Sequence, residues 1–235
     1  MSTTPGAPGG AQSLRSITPR ADAAAFVREH TFLTTVPFLP EMKMFLTDEA
    51  IPLWEKTEEV TGGPGLAPPF WAFPWAGGQA LARYVLDNPA LVAGRRVLDL
   101  ASGSGLVAVA AARSGASQVI ANEIDGYADA AIALNAEANG VIIERRLEDL
   151  LDRPAADFDA EVVLAGDVFY SREMTRRMLA FLQRCKTAGA IVLAGDPGRA
   201  YLPRDHFDLV AEYDVPVIRD LEDADIKRTT VWRLR

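Results

Sequence analysis

An apolar run, Val97-Leu98-Asp99-Leu100, enters the small-residue turn Ala101-Ser102-Gly103-Ser104-Gly105 and leaves it as Leu106-Val107-Ala108-Val109-Ala110-Ala111-Ala112. The order strand, tight turn, helix constrains this chain more than any other feature, because it opens a βαβ unit and so demands a parallel sheet. Gly103 and Gly105 let the backbone turn tightly and let a ligand approach it without a Cβ in the way. Asp99 stands just before the turn. Glu123 follows a second apolar strand about 24 residues on, in the range of a ribose-binding acid. The glycine spacing departs from the dinucleotide fingerprint, and Asp99 would repel a pyrophosphate. The pair suits a ligand with a positively charged amino-acid end. The competing reading is a turn that only packs a helix on a strand.

Around this unit the chain alternates. Strands are expected over 96–100, 118–122, 142–145, 160–165 and 190–195. Helices are expected over 106–114, 126–139 and 171–185, with a short one near 203–207. The last strands, 208–213 and 229–234, read as an antiparallel hairpin at the sheet edge. Ligand contacts belong at the carboxyl ends of the strands. Glu148 or Asp149 follows the third strand there, and Asp167-Val168-Phe169-Tyr170 follows the fourth. Asp125 and Asp149 read as helix caps or solvated charges.

The N-terminal third is built differently. Residues 1–18 are rich in Gly, Pro, Ser and Thr and read as a disordered tail. Residues 19–68 form an extension over one side of the main domain, with a helix at 22–30, an edge strand at 42–46, a helix at 50–60 and a loop at 61–69. The main domain is expected over 69–235. Two of the four tryptophans, Trp71 and Trp75, lie in Phe70-Trp71-Ala72-Phe73-Pro74-Trp75, before a helix over 79–86. They read either as core or as π faces against a cationic or aromatic ligand.

Composition narrows the function. A net charge of −8 argues against a surface for nucleic-acid backbones. A single cysteine, Cys185, excludes an internal disulfide and reads as a core residue. The two histidines, His30 and His206, lack Cys or His neighbours at metal-ligand spacing, so no metal is expected. No apolar run has membrane-spanning length and no signal-peptide pattern opens the chain, so a cytoplasmic location is expected.

Asp99 to Gly105 resembles the first motif of the class I S-adenosylmethionine-dependent methyltransferases, with Ala101 in place of the first glycine. With Pro69 to Tyr84, Leu164-Ala165-Gly166-Asp167-Val168-Phe169-Tyr170 and Gly195-Asp196-Pro197-Gly198-Arg199, the chain resembles the electron transfer flavoprotein β-subunit lysine methyltransferases. The resemblance implies an α/β fold with a Rossmann-like, mostly parallel sheet and a C-terminal antiparallel hairpin, plus the N-terminal extension. It implies methyl transfer from S-adenosylmethionine, giving S-adenosylhomocysteine, to lysine ε-amines of the flavoprotein β subunit by a monomer. Trp71, Trp75, Asp99, Ala101, Gly103, Gly105, Glu123, Ile124, Glu148 and Gly166 are the implied cofactor contacts. Asp167 and Tyr170 are the implied catalytic residues, with Phe169 and Trp71 against the substrate. Asp167 also reads as a cap of the helix beginning at Ser171 or Arg172. The competing functions are a nucleic-acid amine methyltransferase, a small-molecule N-methyltransferase of the nicotinamide type and a non-catalytic cofactor-binding partner protein.

Overall fold

A computed structural model describes residues 22–49, 52, 53, 55 and 68–235. The expected tail over 1–18, and most of the helix over 50–60 and the loop over 61–69, lie outside the described residues. The described chain opens with α1 (Ala23–His30), N-capped by Asp22, and an antiparallel pair, β1 (Phe32–Val36) and β2 (Leu39–Leu46). After a 3-10 turn at Phe70–Ala72 come α2 (Ala76–Asp87), β3 (Arg96–Leu100), α3 (Leu106–Arg113), β4 (Gln118–Glu123), α4 (Gly126–Ala138) and β5 (Glu144–Leu147). The remainder is β6 (Val162–Gly166), α5 (Arg172–Thr187), β7 (Ile191–Asp196), β8 (Phe207–Pro216), the single turn α6 (Arg219–Glu222) and β9 (Ile226–Leu234).

Seven strands make one sheet in the order β5-β4-β3-β6-β7-β9-β8. β3 to β7 are parallel, β9 lies antiparallel to β7, and β8 closes the edge antiparallel to β9. This is the α/β sheet that the resemblance implies. Side chains alternate with the period of two that a strand imposes. Val97, Val162, Leu164 and Leu193 join one core with α2, α3 and the β1–β2 hairpin, while Leu98, Val163, Val192 and Ala194 join another with Met178, Phe181 and Leu182 of α5. With both faces covered, the parallel strands read as continuous apolar runs.

The strand expected at 142–145 is displaced by two residues, to Glu144–Leu147. Ile142 is almost fully exposed, and polar Glu144-Arg145-Arg146 forms the edge ladder instead. An edge strand has one partner and a solvated flank, so polarity there costs little. The strand expected at 42–46 pairs with β1 in its own hairpin, not with the main sheet. That hairpin is tied to α4 by two asparagines one turn apart. Asn135 Oδ1 accepts from Phe45 N–H at 2.6 Å, and Asn139 Nδ2 donates to Lys43 C=O at 2.6 Å.

α2 begins at Ala76, three residues earlier than expected, and its first turn lies directly on the ends of β6 and β7. A Cβ on Gly195 would stand 2.0 Å from Gly77 C=O, and one on Gly77 would stand 2.3 Å from Gly195 C=O. A Cβ on Gly166 would come within 2.8 Å of Gly78 Cα. Helix and sheet therefore meet backbone to backbone, which only glycine allows. Gly195→Ala should cost about 3 kcal/mol through overpacking and lower the melting temperature by about 10 °C. At Gly78 an added Cβ has only Leu106 Cδ2 near it, at 4.0 Å, so Gly78→Ala should keep or raise stability. Thermal melts of the two variants check the contrast.

Candidate active site

The site is assembled at the carboxyl ends of β3, β4, β6 and β7. After β3 the backbone turns through left-handed conformations at Ala101 (φ 53°), Gly103 (φ 57°) and Gly105 (φ 83°). Ala101 occupies there a conformation that suits glycine better. Gly105 is the N-cap of α3 and has no side chain to cap it. Asp99 does that work from the strand: its buried Oδ2 accepts from Ala108 N–H at 2.9 Å and from the Ser102 hydroxyl. Glu123 is used alike, with Oε1 accepting from Gly103 N–H at 2.7 Å and Oε2 from Ile124 N–H at 3.0 Å.

Burial raises the pKa of both acids to about 7 against these hydrogen bonds, and for Asp99 the nearby Glu123 carboxylate adds to the rise. A cavity opens beside them, lined by Asp99, Ala101, Gly103, Gly166, Trp75 and Gly78, and also by Phe73, Ser102, Ser104 and two α3 side chains. A Cβ at Gly78 or Gly103 would meet its nearest atom, Leu106 Cδ2 or the Phe70 carbonyl oxygen, only at 4.0 Å, so the missing side chains leave the cavity open there.

Asp167 follows β6 with φ 57°. It does not cap the helix at Ser171, since the Ser171 hydroxyl itself accepts from Met174 N–H at 3.2 Å. Instead its Oδ2 accepts from Gly77 N–H in the first turn of α2, whose N-cap Trp75 provides no side-chain acceptor. Its Oδ1 takes Arg199 Nε at 2.8 Å. Burial raises the Asp167 pKa to about 6, with Arg199 opposing the shift and Asp196 adding to it. Arg199 continues to buried Glu222 at 2.9 Å, and Glu222 to Lys227 at 2.6 Å, so a chain of alternating charges runs from β6 to β9. The Arg199 guanidinium also lies 5.8 Å from the centre of the Trp75 ring.

Two aromatic expectations are corrected. Trp71 is 1% exposed and stacks on Tyr127 beneath α1, and Phe169 is 0% exposed against Phe207. Neither presents a face to a ligand, because each fills the core behind the cavity. The aromatic rings that reach the surface here are Tyr170, 45% exposed, and its neighbour Phe70 at 5.8 Å. Glu148 is also elsewhere: its carboxylate pairs with Arg153 at 3.2 Å, and only its backbone N–H reaches Glu123. Gly105, Glu123 and Ile124 flank the cavity without lining it. Asp125 and Asp149 hold backbone N–H groups of Tyr127 and Leu151, as caps do. Phe73, Gly78, Ser102 and Ser104 line the cavity without having been singled out; their signal lay inside the two motifs, as the small and aromatic residues between those chosen.

The ribosomal protein L11 methyltransferase (PrmA) family model matches residues 80–195. The electron transfer flavoprotein beta subunit lysine methyltransferase of Xenopus laevis is 36% identical over 214 residues, covering 88% of this chain and 85% of the relative. The human protein of that name is 36% identical over 215 residues, covering 88% and 80%. The Caenorhabditis elegans homolog is 30% identical, covering 79% and 80%. The family model and these relatives make the chain an S-adenosylmethionine-dependent methyltransferase, and the sheet order, glycine turn and paired acids agree with that class. Within that class the chain belongs to the electron transfer flavoprotein beta subunit lysine methyltransferase family.

The buried acids set a pH dependence. Unfolded, Asp99 and Glu123 ionise near 3.8 and 4.5; folded, each holds its proton to about 7. Between those values the native state binds more protons than the unfolded chain. Stability from these groups is therefore full at the acid end, falls as pH rises towards 7 and is level above it. Glu123→Gln should flatten that fall. Melting temperatures of wild type and variant from pH 5 to 8 should converge as pH drops, and parallel curves would show that Glu123 does not titrate in this window.

Proposed function

We propose that this chain transfers methyl groups from S-adenosylmethionine to lysine ε-amines of the electron transfer flavoprotein β subunit. The observation that carries this reading is the match to enzymes of that name along 88% of the chain. The residues present fit the cofactor. The cavity beside the glycine turn is left open by Gly78 and Gly103, with buried Asp99 in its lining and Glu123 beside it. In this reading the turn cradles the amino-acid end of S-adenosylmethionine and Trp75 flanks the cavity. Glu123 releases Gly103 N–H to accept from ribose hydroxyls, with Ile124 beside it. S-adenosylmethionine supplies a methyl group on a sulfonium, already a strong donor, so the protein contributes chiefly alignment and exclusion of water.

The acceptor amine attacks only when neutral, and a carboxylate by itself stabilises the ammonium. Asp167 answers both needs. Each of its oxygens gives one lone pair to Arg199 or to Gly77 and keeps a second for the amine. Its raised pKa brings it closer to a proton acceptor than an exposed aspartate. Tyr170 lies three residues after Asp167, beside Phe70, and desolvation and Glu123 hold its hydroxyl protonated and able to hydrogen-bond the amine. The net charge of −8 favours a basic protein partner over a nucleic acid.

Incubation with labelled S-adenosylmethionine and the purified β subunit should label that protein. Asp167→Asn should lower kcat by about two orders of magnitude or more while cofactor affinity, by calorimetry, stays near wild type. A wild-type rate in the variant would leave Asp167 only its place at the start of α2. Label on nicotinamide with none on the subunit would replace the substrate reading by the small-molecule one.

A further inference from the structure

A second cavity lies over the outer strands, where Asp196 on β7, Thr230 on β9 and Glu212 on β8 stand in one row across the sheet. Leu209, Trp232, Arg204 and Arg228 line it too, with Pro197 and Gly198 of the loop after β7. The methyl-transfer reading uses none of these side chains. Asp196 is 1% exposed, and its Oδ1 accepts from the N–H groups of Gly198 and Arg199, each at 2.7 Å. Its Oδ2 is buried and has no hydrogen-bond partner among the described residues, and the same holds for Trp232 Nε1. A buried carboxylate oxygen left without a donor is costly and rare, so it points to a donor that arrives from outside.

The lining says what that donor is. Leu209 and the Trp232 indole are walls for a methylene stem, of the kind that lysine and arginine lay along apolar surface. Glu212 adds negative charge at the same row but is held by Arg228 at 2.5 Å. Of the two arginines in the lining, Arg228 is thus taken up by Glu212; Arg204 is attracted to Asp196, yet makes no hydrogen bond to it, and rests beside Gly198. Asp196 also stands near enough to Asp167 to raise its pKa. Gly195 pairs with Gly166, and its C=O accepts from Asp167 N–H at 2.9 Å. Asp196 ends β7 and Asp167 follows the neighbouring β6, both hold Arg199, and an extended peptide advancing about 3.3 Å per residue spans strands about 5 Å apart.

Resting on the function proposed above, we propose that this cavity is a subsite for a basic side chain of the protein substrate, close in sequence to the target lysine. The stem lies on Leu209 and Trp232, and the head donates to Asp196 Oδ2. The acidic chain draws such a segment in, and the subsite fixes its register.

Initial rates with the flavoprotein β subunit as acceptor test this. Asp196→Asn keeps an oxygen for the loop N–H groups and removes the charge. Its KM for the subunit should rise about tenfold or more, the range of a charge-assisted hydrogen bond, with cofactor affinity unchanged. Arg204→Gln, which removes the internal competitor, should lower KM. Leu209→Lys, at a half-exposed position, should raise KM and serves if Asp196→Asn does not fold. An unchanged KM in folded Asp196→Asn, or in Leu209→Lys, overturns the subsite while leaving the substrate reading intact. A rise in KM on Arg204→Gln overturns it too, because Arg204 would then be the working group. A wild-type chain that leaves the subunit unlabelled sinks the substrate reading and the subsite together.

Discussion

The close approach of α2 to the ends of β6 and β7 is the constraint on which the site depends. Three glycines, Gly77, Gly166 and Gly195, contribute no side chain to that contact, so two backbones meet at distances that no Cβ tolerates. The cavity exists because of this seam: Gly78 of the helix and Gly166 of the strand both line it. The contact is held electrostatically as well as sterically. Asp167 places a carboxylate at the positive end of the α2 macrodipole, where negative charge is favoured, and Arg199 keeps it there.

The acids of the site share one logic. Asp99, Glu123 and Asp167 come from three strands, and each accepts backbone N–H groups at the start of a helix or in the turn before one. Carboxylates so buried are expensive to ionise, and their raised pKa values express that cost. The donors that partly offset it belong to the same loops that shape the cavity. A ligand that offers hydroxyl or ammonium donors therefore competes with, or adds to, contacts that already set loop geometry. Binding and local architecture are one set of hydrogen bonds.

Much of this was legible in the sequence. Alternating apolar runs and a glycine turn specify a parallel sheet, and Val97 to Leu100 and Ile191 to Asp196 lie within a residue of where the pattern puts them. The misplaced strand, Glu144–Leu147, is polar because it is an edge, and apolar periodicity carries no signal there. At the site, the identity of the acids could be read but not the direction in which they point. The cap reading of Asp167 looks to the helix that follows it in sequence, whereas its helix partner Gly77 lies 90 residues earlier. Trp71 and Trp75 are four positions apart in one motif, yet one is core and the other cavity wall. Burial depends on what packs behind a residue, and α1 and Tyr127, which cover Trp71, are distant in sequence.

Asn135 reaches in two directions. Its oxygen holds the β2 backbone at Phe45, and its amide nitrogen donates to Ser104 C=O in the glycine turn at 2.8 Å. One buried side chain thus has the hairpin on one hand and the glycine turn on the other. Under the proposed function, a ligand that orders the turn through Asn135 also orders the hairpin, and by thermodynamic reciprocity a loosened hairpin then weakens that ligand's binding. The segment ahead of the sheet is on this account a silent partner in ligand affinity, and its sequence is free to drift only as far as that shared asparagine permits.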